Sequence, residues 1–191
     1  MVGGLLANGF NIFQGTWLES AGPSQVELVV LEWFREWLGL PEGAGGLFTS
    51  GGSAANLGAV VAARDSAGHP EHPVVYLSDQ THSSVERACR IAGFRESSFR
   101  RIPSGTDYCM DSAALAQAMD DDMAAGRSPV LVAANGGATN TGAVDPLPEL
   151  ADLCEARGVW LHVDAAYGGF AVLTPRGREA LRGIERAHSV T

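Results

Sequence analysis

Short apolar runs that end in small or polar residues, each followed by a helical pattern, repeat along most of this chain. Three of these runs are almost entirely apolar, at 74–77, 129–134 and 159–163, and residues 99–102 are a candidate for a further strand. Strands buried on both faces show no alternation of polar and apolar residues, and they occur in parallel sheets covered by helices. The sequence therefore predicts an α/β fold, with a mostly parallel sheet and helices on both of its faces.

Helical spacing of apolar residues predicts five helices, at 24–38, 54–65, 84–92, 111–126 and 147–157. Ser24 and Asp111 are the expected N-terminal caps of the first and the fourth. The segment after Arg176 predicts one more helix and then the opening of a strand at 189–191. We expect an irregular N-terminal lead-in over residues 1–22 and a single domain over residues 23–191, a length that suits one core.

The first predicted helix carries a wide apolar face that includes Val26, Val29, Trp33 and Trp37. Two interpretations of this face remain open at the sequence level. It belongs either to the core of the chain or to an interface with another subunit, and both are more common for such a stripe than a binding pocket.

Charge and composition exclude several classes of function. The net charge of −9 argues against a nucleic-acid partner, whose phosphates require clustered basic residues. All 13 basic residues are arginine, so a Walker-type phosphate loop is excluded and no side chain can form a Schiff base. No apolar run approaches the ~20 residues that span a bilayer, and residues 1–9 do not resemble a secretory signal. We therefore expect a cytoplasmic protein with no membrane partner.

Candidate site residues follow from the predicted sheet, because ligands of open α/β sheets bind outside the carboxyl ends of the strands. Gly52 and Ser53 precede a helix, whose N–H groups and dipole favour an anion such as phosphate; a tight turn is the alternative. His82 opens the next helix, where an ordinary, satisfied polar side chain is the alternative. Thr139 lies in a glycine-rich turn, where a local backbone hydrogen bond is the alternative.

Asp164 is the most informative of the candidates, because it ends the apolar run 159–163 and its carboxylate needs a partner. A buried cation is one possible partner, and the cap of a helix is the other. Small residues follow, among them Ala166, and they leave room for a bulky ligand. His162 and Asp164 share a strand face, but no third ligand has suitable spacing, so we predict no metal site.

Four segments of the chain together resemble the group II pyridoxal-phosphate decarboxylases, which include aromatic-L-amino-acid, histidine, glutamate and diaminobutyrate decarboxylases. Their order and spacing agree with this family over nearly the whole chain. The resemblance implies an incomplete large domain of the fold-type-I pyridoxal-phosphate-dependent transferases. It also implies an amino-acid substrate and a homodimer. The segments are FTSGGSAANL (48–57), SDQTHSSVERA (78–88), ATNTGAVD (138–145) and HVDAAYGG (162–169).

The resemblance also implies the cofactor, pyridoxal 5'-phosphate, and the reaction, decarboxylation of an L-amino acid to an amine and CO₂. Two of the matched residues, His82 and Asp164, are candidate catalytic residues. In the family pattern, Gly52 and Ser53 match residues that hold the cofactor phosphate, and Thr139 matches a threonine that contacts the cofactor. His82 matches a histidine stacked on the pyridine ring, and Ala166 matches a residue packed against the other face of that ring. Asp164 matches the aspartate paired with the pyridinium nitrogen.

The family's Schiff-base lysine is the main feature that this sequence lacks. The resemblance places that lysine in an Asn/Asp-Pro-His-Lys-type segment, roughly half a dozen residues beyond Thr191. We therefore interpret the chain as part of a decarboxylase, cut before the lysine and the small domain. Two alternatives remain: an inert fragment with a regulatory or structural role, and an aminotransferase of the same fold. The segment 78–84 argues against the aminotransferase, because it resembles the decarboxylases.

Overall fold

One five-stranded parallel sheet, in the order β2-β1-β3-β4-β5, organises the computed structural model, which describes residues 2–13 and 15–191. All four predicted strands and the opening of the last one are confirmed. The strands are β1 (Pro73–Ser78), β2 (Phe99–Ile102), β3 (Ser128–Asn135), β4 (Trp160–Asp164) and β5 (Ser189–Val190).

Seven α-helices connect and cover these strands in the described part of the chain, and three short 3-10 helices accompany them. None of the described helices has both the length and the apolar character that a bilayer-spanning segment requires. The helices are α1 (Val2–Phe10), α2 (Trp17–Leu38), α3 (Gly52–Ser66), α4 (Ser83–Ile91), α5 (Ser112–Ala124), α6 (Leu147–Arg157) and α7 (Pro175–Ala180), and the 3-10 helices are Glu96–Ser98, Gly169–Leu173 and Ile184–Arg186.

Successive side chains of the central strands enter two different cores, because neighbouring residues of a strand face opposite sides of the sheet. Val75 and Leu77 of β1 pack with α3 and α4, whereas Val74 and Tyr76 pack with α5 and α6. Both cores are buried, so the sheet is covered on both faces. The predicted α/β class, with helices on both sides of a parallel sheet, is confirmed.

Helix α2 starts earlier than expected, and the prediction that Ser24 caps it is wrong. The helix begins at Trp17 after Thr16, and it contains a kink at Ser20, whose φ and ψ are −135° and 30°. Pro23 therefore lies in the first regular turn after the kink, where its missing N–H group leaves no hydrogen bond unmade. Ser24 instead shares a 3.0 Å hydrogen bond with the Ser20 hydroxyl group.

The apolar face of α2 is only partly covered by the rest of the chain. Phe34 packs edge-to-face on Phe170, with ring centroids 5.1 Å apart. Trp33 and Val26, however, remain 48% and 63% exposed. The described residues therefore cover this face only in part, and the alternative of a subunit interface is taken up below.

Asp111 caps α5 as predicted. Its Oδ1 atom accepts hydrogen bonds of 2.9 Å from the backbone N–H groups of Ala113 and Ala114. We expect Asp111→Ala to lower the free energy of unfolding by about 1 kcal/mol, measured by urea denaturation. Asp121→Ala, on the same helix, is the control and should change that free energy by less than about 0.5 kcal/mol. Equal effects of the two substitutions would contradict the capping role.

Candidate functional site

The carboxyl ends of the strands bring the candidate residues to one edge of the sheet. Asn135, the last residue of β3, is paired in register with Asp164, the last residue of β4. The backbone N–H of Ala165 donates to the carbonyl of Thr191, just beyond β5, at 2.7 Å. The site was expected at this edge, and the polar groups described next lie along it.

Gly52 and Ser53 form the first turn of α3, and the N-terminus of this helix is open. Gly51, at the N-cap position, has a φ of 153°, a conformation that strains a residue with a side chain, and it supplies no capping side chain. The N–H groups of Gly52 and Ser53 have no hydrogen-bond partner among residues 2–13 and 15–191. Residues 44–49 before the turn form neither helix nor strand. This helix start can therefore receive an anion.

Asp164 is a buried carboxylate, 9% exposed, whose described hydrogen-bond donors are all neutral. Its Oδ2 atom accepts from the Asn56 side-chain amide at 2.9 Å, and its Oδ1 atom accepts from the backbone N–H of Ala166 at 3.2 Å. It caps no helix, since the next helical turn starts at Gly169. In the described chain, neither a cationic side chain nor the N-terminus of a helix donates a hydrogen bond to this carboxylate. A buried anion held by neutral donors is suited to a cationic ligand.

His82 is the N-cap residue of α4, as its position in the sequence predicted. Its Nδ1 atom accepts from the backbone N–H of Ser84 at 3.3 Å and lies 2.7 Å from the Ser84 hydroxyl oxygen. Nδ1 is therefore the acceptor, and the proton of the neutral ring is on Nε2. The side chain is exposed and thus accessible to a ligand at this edge.

Thr139 is exposed in the turn that follows β3. The alternative of a local backbone hydrogen bond is wrong for this residue, because it is the Thr141 hydroxyl that accepts such a bond, from the N–H of Ala143 at 3.2 Å. The described residues offer no hydrogen bond to the Thr139 side chain. Its role toward a ligand stays a prediction.

Asp145 anchors the turn that carries Thr139. This carboxylate is 2% exposed and accepts from the backbone N–H groups of Met110 at 2.7 Å and Asn135 at 2.6 Å. Burial raises its pKa, and these hydrogen bonds act in the opposite direction. The carboxylate thus fixes both ends of the segment 135–145 against the sheet.

Gly136 begins the same turn, where no side chain fits. A Cβ atom at this position would lie 2.7 Å from the Cβ of Ala165 and 3.0 Å from Cγ1 of Val163. We expect Gly136→Ala to lower the free energy of unfolding by about 2 kcal/mol through overpacking, measured by urea denaturation. Gly58→Ala is the control: it lies in helix α3 with no atom within 4 Å of the added Cβ, so it should be neutral or stabilising. A neutral Gly136→Ala would contradict the close packing.

His162 is fully buried, and both of its ring nitrogens are engaged by protein groups. Nδ1 lies 2.9 Å from the Ser189 hydroxyl oxygen, and Nε2 lies 3.1 Å from the Asn56 side-chain carbonyl. His162 and Asp164 share a face of β4, as expected, and meet at Asn56. In residues 2–13 and 15–191, no group of three or more His, Cys, Asp or Glu side chains is placed to hold a metal.

Five of the six predicted site residues are connected in space. Gly52 adjoins Ala166, because a Cβ atom on Gly52 would lie 3.6 Å from the Ala166 Cβ. The backbone N–H of Ala166 donates a hydrogen bond to Asp164. Asp164 is linked to His82 by hydrogen bonds through the side chains of Asn56 and Ser84. Ser53 adjoins Gly52 in the first turn of α3. Thr139 is the sixth and makes no such link in the described chain.

Asn56 and Ser84 were missed as site residues from the sequence. A signal for Asn56 existed: Asn56, Val60 and Ala63 share the buried face of α3, so an amide lies on an otherwise apolar stripe. A buried amide requires partners. The identity of those partners was not readable, because Asp164 is 108 residues away.

A model of the family described as "Pyridoxal-dependent decarboxylase conserved domain" matches residues 1–191, the entire chain. The chain belongs to the pyridoxal-dependent decarboxylase family. The resemblance noted in the sequence is thereby confirmed. Within this family, the aromatic-L-amino-acid decarboxylase of Bacillus atrophaeus is 45% identical over 193 residues, covering 100% of this chain and 40% of the relative. Tryptophan decarboxylase 2 of Oryza sativa subsp. japonica is 37% identical, and the match covers 98% of this chain and 41% of the relative.

Solved structures of similar proteins agree with this family assignment. The crystal structure of Oryza sativa TDC with PLP and tryptamine matches this chain with 38% sequence identity and a TM-score of 0.92. The match covers 99% of this chain and 42% of the Oryza sativa chain. The 4-hydroxyphenylacetaldehyde synthase of Rhodiola rosea is 31% identical in sequence, with a TM-score of 0.93, and the match covers 99% of this chain and 44% of the synthase. The fold-type-I assignment is confirmed. The chain spans about 40% of the length of the curated relatives it matches.

Proposed function

We propose that this pyridoxal-dependent decarboxylase family chain supplies most of the cofactor site of a longer enzyme that decarboxylates an L-amino acid to an amine and CO₂. The observation that carries the proposal is Asp164, a buried carboxylate held only by neutral donors in the described chain. Such a carboxylate, at the edge of the sheet where ligands bind, is suited to a cationic partner, and the protonated pyridine nitrogen of pyridoxal 5'-phosphate is one.

The residues present fit both ends of that cofactor. A phosphate requires N–H donors, and the N–H groups of Gly52 and Ser53 are free at the start of α3. A pyridinium nitrogen requires an anion, and Asp164 is one. Gly52 and Ala166 adjoin each other, so the phosphate end and the nitrogen end lie along one edge of the sheet. Small side chains there leave room for a flat ring.

The chemistry of the bound cofactor is its capacity to accept the electron pair that departing CO₂ leaves on the α-carbon of the substrate. Asp164 would hold a proton on the pyridine nitrogen, which would make the ring a better electron acceptor. Gly52 and Ser53 would bind the phosphate. His82 and Ala166 would restrict the position of the ring, and this restriction would orient the bond that is to break.

The function is tested with the full-length gene product, because the chain spans about 40% of its curated relatives. The names of those relatives make aromatic L-amino acids the first substrates to offer, labelled with ¹⁴C at the carboxyl group. We expect release of labelled CO₂ that depends on added pyridoxal 5'-phosphate. Transamination without CO₂ release would instead assign the aminotransferase alternative, and no reaction with any L-amino acid would favour the inert fragment.

The coding sequence downstream of Thr191 provides an independent check. The chain contains no lysine, so the proposed enzyme requires a lysine from elsewhere in the gene product. We expect a Pro-His-Lys-type segment shortly after Thr191. A stop codon directly after Thr191 would contradict the proposal.

The exposed apolar face of α2 supports a homodimer as part of the same proposal. Trp33, Trp37 and Val29 are 48%, 37% and 40% exposed, and apolar patches of this kind mark interfaces. A second copy of this chain is the proposed occupant. Analytical ultracentrifugation of the full-length gene product should give a dimer, and Val29→Glu should shift it toward the monomer. A wild-type monomer would contradict the dimer.

A further inference from the structure

Asn56 is the side chain on which several polar groups of the site converge. It is 1% exposed on α3. Its amide nitrogen donates to Asp164 Oδ2 and to Ser84 Oγ, both at 2.9 Å, and its carbonyl oxygen lies 3.1 Å from His162 Nε2. All three hydrogen-bonding positions used by this amide are therefore directed at other buried side chains.

The direction of each hydrogen bond in this network is fixed from the Asp164 end. The carboxylate of Asp164 can only accept, so the Asn56 amide nitrogen faces it and the Asn56 carbonyl oxygen faces His162. His162 Nε2–H therefore donates to that carbonyl, and Nδ1 of the neutral ring accepts from the Ser189 hydroxyl group. Ser189 Oγ also accepts from the Trp160 indole N–H at 2.8 Å, which is compatible with this direction.

The same orientation reaches His82 through Ser84. Because Asn56 donates to Ser84 Oγ, the Ser84 hydroxyl hydrogen is available for His82 Nδ1 at 2.7 Å. Nδ1 of His82 thus accepts from both the hydroxyl and the backbone N–H of Ser84. The proton of the His82 ring is held on Nε2, the nitrogen that no described residue occupies.

We propose that Asn56 is a positioning residue that fixes the Asp164 carboxylate directly, and the His82 imidazole through the Ser84 hydroxyl group, in place for the cofactor ring. The inference rests on the proposed function, which assigns these two side chains to the cofactor. An asparagine is required because one amide must donate twice and accept once. Aspartate would place a second negative charge beside Asp164, and leucine would remove all three bonds.

The first test reads the network without any cofactor. The protein is labelled with ¹⁵N-histidine, and long-range ¹H–¹⁵N correlation spectra report the tautomer of each ring. In the wild-type protein we expect His82 and His162 as Nε2–H tautomers. In Asn56→Leu, His162 Nε2–H loses its acceptor, so the ring ¹⁵N and ¹H shifts of His162 should change, whereas the Ser84 backbone N–H keeps His82 as the Nε2–H tautomer. Val60→Ala removes packing from the same buried face of α3 but keeps this hydrogen bond, so the His162 shifts should stay close to those of the wild-type protein.

The second test measures cofactor affinity with pyridoxal 5'-phosphate itself, by equilibrium dialysis. Loss of the donor to Asp164 should raise the dissociation constant on the order of ten-fold in Asn56→Leu, and little in Val60→Ala. Ser84→Ala removes the hydroxyl contact of His82 but keeps the backbone N–H that fixes the ring tautomer, and it leaves the Asp164 contact in place. Asn56→Ser repeats both measurements if Asn56→Leu does not fold.

The outcomes separate this inference from the proposed function. A wild-type protein that does not bind pyridoxal 5'-phosphate contradicts the proposed function, whatever the histidine spectra show. A wild-type protein that binds the cofactor, together with an Asn56→Leu protein whose His162 ring shifts or cofactor affinity are unchanged, overturns the positioning role of Asn56.

Discussion

Asp164→Asn is expected to lower kcat of the full-length gene product on the order of 10³-fold, with the protein still folded. Asparagine keeps the shape of the side chain but carries no charge. The pyridine nitrogen would then lose the anion that keeps its proton in place, and the electron-accepting capacity of the ring would fall. The measurement is the rate of ¹⁴CO₂ release at saturating amino acid and cofactor, with circular dichroism to confirm the fold.

Asp65→Asn is the matched control for this substitution. Asp65 is an aspartate near the C-terminal end of α3, with its side chain 80% exposed. We expect it to retain wild-type kcat. If Asp164→Asn retained a tenth or more of the wild-type rate, Asp164 would not be the counter-ion of the cofactor.

Acid is expected to destabilise the protein between pH 6.5 and about pH 4 through His162. Burial lowers the pKa of this imidazole from its ordinary value of 6.5 to about 4. The unfolded chain therefore binds a proton in this range that the folded chain excludes. The contribution is fully present above pH 6.5 and is lost as the pH falls toward 4, by about 3 kcal/mol.

Urea denaturation at a series of pH values measures this loss. His162→Gln removes the titrating group and should flatten the pH dependence in this window, even if the variant is less stable at neutral pH. His72→Gln, at an exposed histidine, should keep the wild-type slope. The role of His162 is contradicted if its removal leaves the slope unchanged.

Much of the architecture was predictable because local signals and tertiary structure agree in this chain. The strands β1, β3 and β4 are nearly continuous apolar runs, as expected of strands covered on both faces. Asp111 caps α5 through bonds to residues two and three positions later, which a local pattern captures. The start of α2 was not predictable, because a kink at Ser20 joins an additional turn to the helix.

The candidate site was only partly predictable, for a physical reason. Asp164 and His82 could be located because each follows a strand and lies at the same edge of the sheet. The hydrogen bonds that orient them come from Asn56 and Ser84, and the contacts of Asn56 span 28 and 108 residues of sequence. Polarity at a helical position predicts that a partner exists, but only the packing of α3 on β4 decides which partner it is.

The most direct test of the central claim is a crystal structure of the full-length gene product with pyridoxal 5'-phosphate. We expect a carboxylate oxygen of Asp164 at roughly 2.7–2.9 Å from the pyridine nitrogen, the distance of a charge-assisted hydrogen bond. We also expect the phosphate at the N–H groups of Gly52 and Ser53. A cofactor whose nitrogen faces another residue, with Asp164 bonded only to Asn56 and Ala166, would contradict the central claim.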